Sequence, residues 1–157
     1  MSTADLDLTS MDALLGAMMD DLDDLPPMGV PPSGHYNLTV TFDIKKIGDD
    51  NKEVIAAEYT VDEINELKDE AERGDVAVGM KFTEFFHVKK KDGSINTFGI
   101  GKLKQRLAPF ASLTEDRSVG GVINAVKQIA VAATIKRTVN RKNEDQFNVD
   151  LKDIVVL

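Results

Sequence analysis

The sequence predicts a mainly β domain with short helices (α+β) behind an acidic arm, and three observations predict it. Tyr36, Leu38, Val40, Phe42 and Ile44 alternate strictly with Asn37, Thr39, Thr41, Asp43 and Lys45, the period of a strand with one face in a core and the other in water. Residues 82–88 are aromatic and β-branched and run into Asp92-Gly93, a two-residue turn signal. Residues 129–139 have the same strand composition, and after NRKNED the chain returns with Phe147, Val149 and Leu151 on one face.

A chain of 157 residues suits one domain with its own core. The division expected is a flexible arm over residues 1–33, ending in Pro26, Pro27, Pro31 and Pro32, and a folded domain over residues 34–157. The absence of Cys excludes disulfides, thiolate metal sites and Cys nucleophiles. No stretch reaches the roughly 18 apolar residues of a membrane span, and no basic-then-apolar leader opens the chain. The expectation is a soluble, intracellular protein with no membrane contact.

The net charge of −8 is unevenly distributed. Residues 1–33 hold seven Asp and no Lys or Arg, and residues 34–80 hold twelve acids against five bases. Residues 81–142 reverse this with thirteen bases against four acids, and residues 143–157 return to four acids and one base. A basic block of that size in an acidic chain implies a localised positive face and an acidic arm able to compete for it.

Along the arm, Leu14, Leu15, Met18, Met19 and Leu22 recur at helical spacing within residues 11–25, between and beside Asp20, Asp21, Asp23 and Asp24. They read as a partner-binding segment that folds on contact, or as apolar residues docked on the protein's own domain. The four aspartates lack the glycine and closing Glu of a calcium loop. After the alternating strand, residues 53–60 read as its antiparallel return. Thr60 and Glu63 have capping-box spacing, Ile64, Leu67 and Ala71 mark one face and Gly74 a stop, so residues 61–73 read as a helix with a solvated acidic surface. Residues 76–88 read as a long strand into a hairpin whose return is 94–100. Residues 101–110 read as a short helix or turn halted at Pro109, residues 112–121 as a polar loop, and residues 122–128 as a helix of one or two turns. GIGK lacks the spacing and the following Ser or Thr of a phosphate loop.

Candidate binding residues concentrate in residues 81–106, KFTEFFHVKKKDGSINTFGIGKLKQR. Phe85 and Phe86 point to opposite faces of a strand, so one of them is exposed unless a second layer covers it. An exposed ring beside Lys89, Lys90 and Lys91 is the composition of a single-strand nucleic-acid platform, where bases stack on rings and cations track phosphates. The alternative is a two-sided strand with a solvated lysine turn. Phe98 and Phe147 are further candidate rings, and Lys102, Lys104, Arg106, Lys136, Arg137, Arg141 and Lys142 further phosphate contacts. The basic turn at Arg141 and Lys142 repeats the design at Lys89 to Lys91.

Strands, a short helix and a final hairpin make the pattern of a five-stranded, OB-like Greek-key barrel. The segment PPSGHYNLTV, the aromatic middle strand and the closing hairpin AATIKRTVNRKNEDQFNVDLKDI also resemble bacteriophage single-stranded-DNA-binding and replication-accessory proteins, over about a third of the chain. In that family the acidic tail is often C-terminal, whereas here DDLDDL is near the N-terminus. The resemblance implies sequence-nonspecific binding of single-stranded DNA, or RNA, in phage replication, recombination or repair, in the host cytoplasm. It also implies replication or recombination proteins met through the arm, further copies in a homo-oligomer, and no cofactor. The other classes are a protein-assembly module on the same barrel and an enzyme. Neither a Ser-His-Asp set nor paired carboxylates outside solvated surface support the last, so no enzyme is expected.

Overall fold

The strict alternation over residues 36–45 is realised as the middle strand of a sheet. The structure is a computed structural model that describes residues 29–48, 52–139 and 147–157, together with Leu15. Strands β1 (Gly34–Ile47), β2 (Lys52–Leu67), β3 (Lys81–Phe86), β4 (Ile129–Val139) and β5 (Phe147–Val156) form one antiparallel sheet in the order β3-β2-β1-β4-β5. Between β3 and β4 the chain forms helix α1 (Thr97–Leu107), a 3₁₀ helix (Ala108–Leu113) and helix α2 (Val119–Ala125). The mainly β class with short helices is borne out. Among the described residues no helix is long and apolar enough to cross a membrane.

Tyr36, Leu38, Val40 and Phe42 are fully buried, while Asn37, Thr39 and Thr41 on the other face are partly exposed. Phe42 stacks on Phe86 at 6.2 Å between ring centroids and meets Phe110 edge-on at 6.0 Å, and Tyr59 stacks on Phe82 at 4.9 Å. These rings tie β1, β2, β3 and the helical segment into one core.

The helix expected over residues 61–73 is not there. Residues 61–67 complete the sixteen-residue β2, and only Glu70–Asp75 is helical, as a 3₁₀ turn. The cause lies in two bulges: the register with β1 shifts between His35 and Tyr36 and again between Asn37 and Leu38, so β2 carries one extra residue at each point. Val61, Ile64 and Leu67 therefore follow one another at intervals of three while facing Leu38, Tyr36 and Gly34, which are two apart. A bulged strand thus imitates helical spacing. The extra residues are held sideways, with Thr39 donating to Asp62 at 2.5 Å and Asn65 donating to Asn37 at 3.0 Å.

Two further expectations are corrected. Residues 76–80 are a turn leading into the short β3, with Gly79 at φ +93°. The return strand expected over residues 94–100 is reduced to a single bridge between Lys89 and Ile95, after which α1 begins. Asn96 caps that helix by accepting from the Gly99 amide at 3.1 Å. Gly99 is packed so closely under the His87 carbonyl that a Cβ there would collide with it. The second helix runs over Val119–Ala125 rather than residues 122–128, capped by Ser118.

Residues 30–33, directly before β1, are part of the folded body. Pro31 and Pro32 are buried, Tyr36 donates its hydroxyl to the Pro32 carbonyl at 2.6 Å, and the Ser33 carbonyl accepts from the Lys68 amide at 2.9 Å. Leu15, alone described in residues 11–25, is helical and 75% exposed. Leu14, Met18, Met19, Leu22, Asp20, Asp21, Asp23 and Asp24 lie outside the described residues, as does the turn with Arg141 and Lys142.

Both tyrosines of the chain are in this core. Burial pushes the Tyr36 phenol up to about 12, and burial followed by the charge of Glu84 raises Tyr59 well above its ordinary value. A folded-state pKa above the unfolded one contributes stability that is complete below the unfolded value of about 10 and is lost as pH rises toward the folded value. With two Tyr and no Trp, tyrosinate absorbance is expected to rise in a single cooperative step together with loss of the β circular-dichroism signal, above the pH at which free tyrosine ionises. Ionisation at the free-tyrosine pH with the fold intact would contradict the burial of both rings.

Candidate nucleic-acid interface

Three exposed lysines of the basic block, Lys89, Lys90 and Lys91, lie where β3 ends and before α1 begins. The strand buries Phe82, Glu84 and Phe86 and turns Phe85 outward, 48% exposed. Lys89, Lys90 and Lys91 follow in a closed turn. The Lys90 amide donates to the Ser94 carbonyl at 2.8 Å and the Gly93 amide to the Lys90 carbonyl at 3.0 Å, with Gly93 at φ +85°. Asp92 fastens the turn by accepting from the Ser94 hydroxyl at 2.6 Å and the Ser94 amide at 2.9 Å. Those two bonds hold its carboxyl below the usual range. Beyond the turn, Ile95 is 67% and Phe98 77% exposed. Lys102, half-buried, and Lys104, exposed, continue along α1.

Three candidates are removed or reassigned. Phe86 belongs to the core, stacked near Phe42, so Phe85 is the exposed member of the pair. Arg106 does not face solvent. Its side chain is 7% exposed, donating through Nε and a terminal nitrogen to the two oxygens of Glu84 at 2.8 and 2.9 Å and through the other terminal nitrogen to the Leu151 carbonyl at 2.8 Å. Asp150 accepts from it at 3.3 Å. The physical reason is Glu84: a carboxylate on the inner face of β3 requires a buried counter-charge, and it also accepts from the Tyr59 hydroxyl at 2.6 Å. Burial alone would lower the guanidinium's pKa, but Glu84 overcomes that and raises it. Arg106 thereby connects β3 to β5, the two outermost strands of the sheet, through one side chain.

Arg137 is likewise committed. Its side chain is 8% exposed, paired with Glu72 and, at 3.3 Å, with Asp75, and it donates to the Val30 carbonyl at 3.3 Å. The guanidinium lies 4.2 Å from the centroid of the Phe147 ring, so one face of that ring is covered while the residue stays 43% exposed. Arg137 thereby anchors the entry segment, bonded to Val30 and Ser33. Lys136 remains exposed on β4.

Sequence reasoning missed a second basic surface. Lys136 borders a groove of about 490 Å³ together with His35, Lys68, Lys152 and one carboxylate, Glu66. The His35 Nδ1 is 2.9 Å from the Thr134 hydroxyl on its wall. Thr134 faces Lys152 and Lys136 faces Asp150 across the β4–β5 ladder, so strand alternation alone could have put both lysines on one face. Lys68 follows directly on β2, and no spacing in the sequence links it to them. Comparison with protein-family descriptions, characterised proteins and solved structures finds no match to this chain.

Proposed function

We propose that the chain is a sequence-nonspecific single-stranded-DNA-binding protein built on a partly open, OB-like barrel. The observation that carries the reading is the ordered lysine turn, Lys89 to Lys91, flanked by the exposed rings of Phe85 and Phe98. Three exposed lysines on a turn that follows one exposed aromatic residue and precedes another match the two needs of a single-strand site, phosphate neutralisation and base stacking. The His35, Lys68, Lys136 and Lys152 surface supplies a second place for the backbone to lie. The order β3-β2-β1-β4-β5 with helices between β3 and β4 is what results when a five-stranded Greek-key barrel is opened between its third and fifth strands, the strands Arg106 connects. The resemblance of the closing hairpin to phage proteins extends the proposal to replication, recombination or repair.

Titration of labelled poly-dT at two salt concentrations tests the reading, since binding to phosphates releases counterions. Replacing Lys89, Lys90 and Lys91 with Ala is expected to flatten the slope of log affinity against log salt by roughly 0.7 for each phosphate that is no longer neutralised. An unchanged slope would remove this turn from the interface. No binding at low salt, with a stable oligomer in solution, would favour an assembly module instead, and a parallel titration of poly-U reads the preference between DNA and RNA.

A further inference from the structure

The groove bordered by His35, Lys68, Lys136 and Lys152 is also the place from which the acidic arm departs. Ser33 and Gly34 form part of its wall. Val30, Pro32 and Ser33 are fixed there by bonds from Arg137, the Tyr36 hydroxyl and the Lys68 amide. One residue before Val30, Gly29 bends the chain on the open surface at φ +100°, a conformation that glycine adopts at no steric cost.

Charge in the groove is out of balance. Glu66 is the one carboxylate on its wall, and among the described residues none of Lys68, Lys136 and Lys152 belongs to an ion pair. Asp150, opposite Lys136 on β5, turns to Arg106 at 3.3 Å, and Glu72 and Asp75 near the entry are held by Arg137. A concavity lined by one sign of charge concentrates anions. The chain carries its own supply, since Asp20, Asp21, Asp23 and Asp24 belong to a segment, residues 1–33, with seven Asp and no Lys or Arg.

Length permits the contact within one chain. Ser33, four residues from Gly29, lies at most about 14 Å from it, whereas Asp24 is on a tether of five residues, about 17 Å, and Asp20 on one of nine, about 31 Å. The aspartates can therefore fold back from Gly29 over the groove. The lysine turn is no such neighbour: it follows Phe86, whose partner Ile55 faces Ile44, ten residues along β1 from Gly34. A short tether holds the acids at an effective concentration on the order of millimolar, well above that of any second copy in dilute solution.

We propose that Asp20, Asp21, Asp23 and Asp24 occupy the His35, Lys68, Lys136 and Lys152 groove of their own chain, pairing with its lysines, and that single-stranded DNA must displace them to lie there. The displacement rests on the DNA-binding reading above; the occupancy does not.

With no Cys in the chain, a nitroxide attached through Leu22→Cys lies among the acids of the full-length protein. At low salt and without nucleic acid, it is expected to broaden the amide resonances of His35, Thr134 and Lys136 more than those of Lys89 to Lys91, and high salt is expected to remove the difference. Asp20→Asn, Asp21→Asn, Asp23→Asn and Asp24→Asn together are expected to abolish it as well, and to tighten poly-dT binding several-fold at low salt. That tightening is expected to vanish in a chain that also carries Lys68→Ala, Lys136→Ala and Lys152→Ala. Equal broadening at both places, or broadening that the four Asn substitutions leave unchanged, overturns the groove as the arm's site. Broadening that arises only between a nitroxide-bearing copy and a separate isotope-labelled copy overturns occupancy within one chain. Poly-dT that binds without relieving the broadening overturns the competition. Poly-dT that fails to bind while the broadening persists counts against the DNA-binding reading and supports the arm in its groove.

Discussion

Replacing Arg106 with alanine is expected to lower the stability of the domain by about 3 to 5 kcal/mol, the cost of leaving one member of a buried ion pair without its partner. The substitution strands the Glu84 carboxylate on the inner face of β3 and removes the donor to the Leu151 carbonyl on β5. Urea denaturation reads the loss, and hydrogen exchange is expected to show the amides of β5 opening first. The paired replacement Arg106→Met with Glu84→Met separates charge from packing. It removes both ions together and is expected to recover most of the stability, because a buried pair exchanged for apolar groups of similar volume is often neutral or favourable. A cost for Arg106→Ala below about 1 kcal/mol, as for an exposed pair, would show that the guanidinium is not held as described.

The second large effect separates neighbouring residues. Phe86→Ala is expected to cost about 3 to 5 kcal/mol of folding stability, since its ring is packed beside Phe42 in the core. Phe85→Ala, on the opposite face of β3, is expected to leave the fold nearly unchanged and to weaken single-strand binding by about 1 to 3 kcal/mol if bases stack on it. Denaturation and oligonucleotide titration on the same two variants provide the comparison. Unchanged affinity in a folded Phe85→Ala protein, with the same result for Phe98→Ala, would refute the stacking platform.

That contrast also marks how far the fold and the site were legible in the sequence. Period-two alternation placed β1, strand composition placed β4, and strand geometry required that Phe85 and Phe86 part ways. The same reasoning failed at residues 61–67, where two bulges convert a period of two into an apparent period of three. It failed again at residues 94–100, where Thr97, Gly99 and Ile100 are poor helix formers. There the helix is set by the Asn96 cap and by burial of Leu103 and Leu107 beneath it. Within the site, Lys89 to Lys91 and Phe98 are exposed as expected. Arg106 and Arg137 were counted as available cations because a sequence shows charges without their partners. The clue to Arg106 was present in Phe82, Glu84 and Phe86, an alternation that places a carboxylate among core rings.

The bulges of β2 bear on how the protein can vary. A hairpin with one buried face cannot slide by one residue without turning Tyr36, Leu38, Val40 and Phe42 to water, and its bulges add a second constraint. Here Asp62 and Asn65 occur where the ladder gains a residue, and each is bonded to a particular neighbour on β1. Sliding by one position would break these bonds and misplace both irregularities at once. Alignment is therefore fixed twice, by the buried face along the hairpin and by the bulges at one end, while the outward Asp43, Lys45 and Glu58 nearer the other end take part only in exposed ion pairs, Lys45 with Glu58 and Asp43 with Lys127, which cost little to lose. Mutation can explore that surface for new ligands without unsettling the strands beneath it.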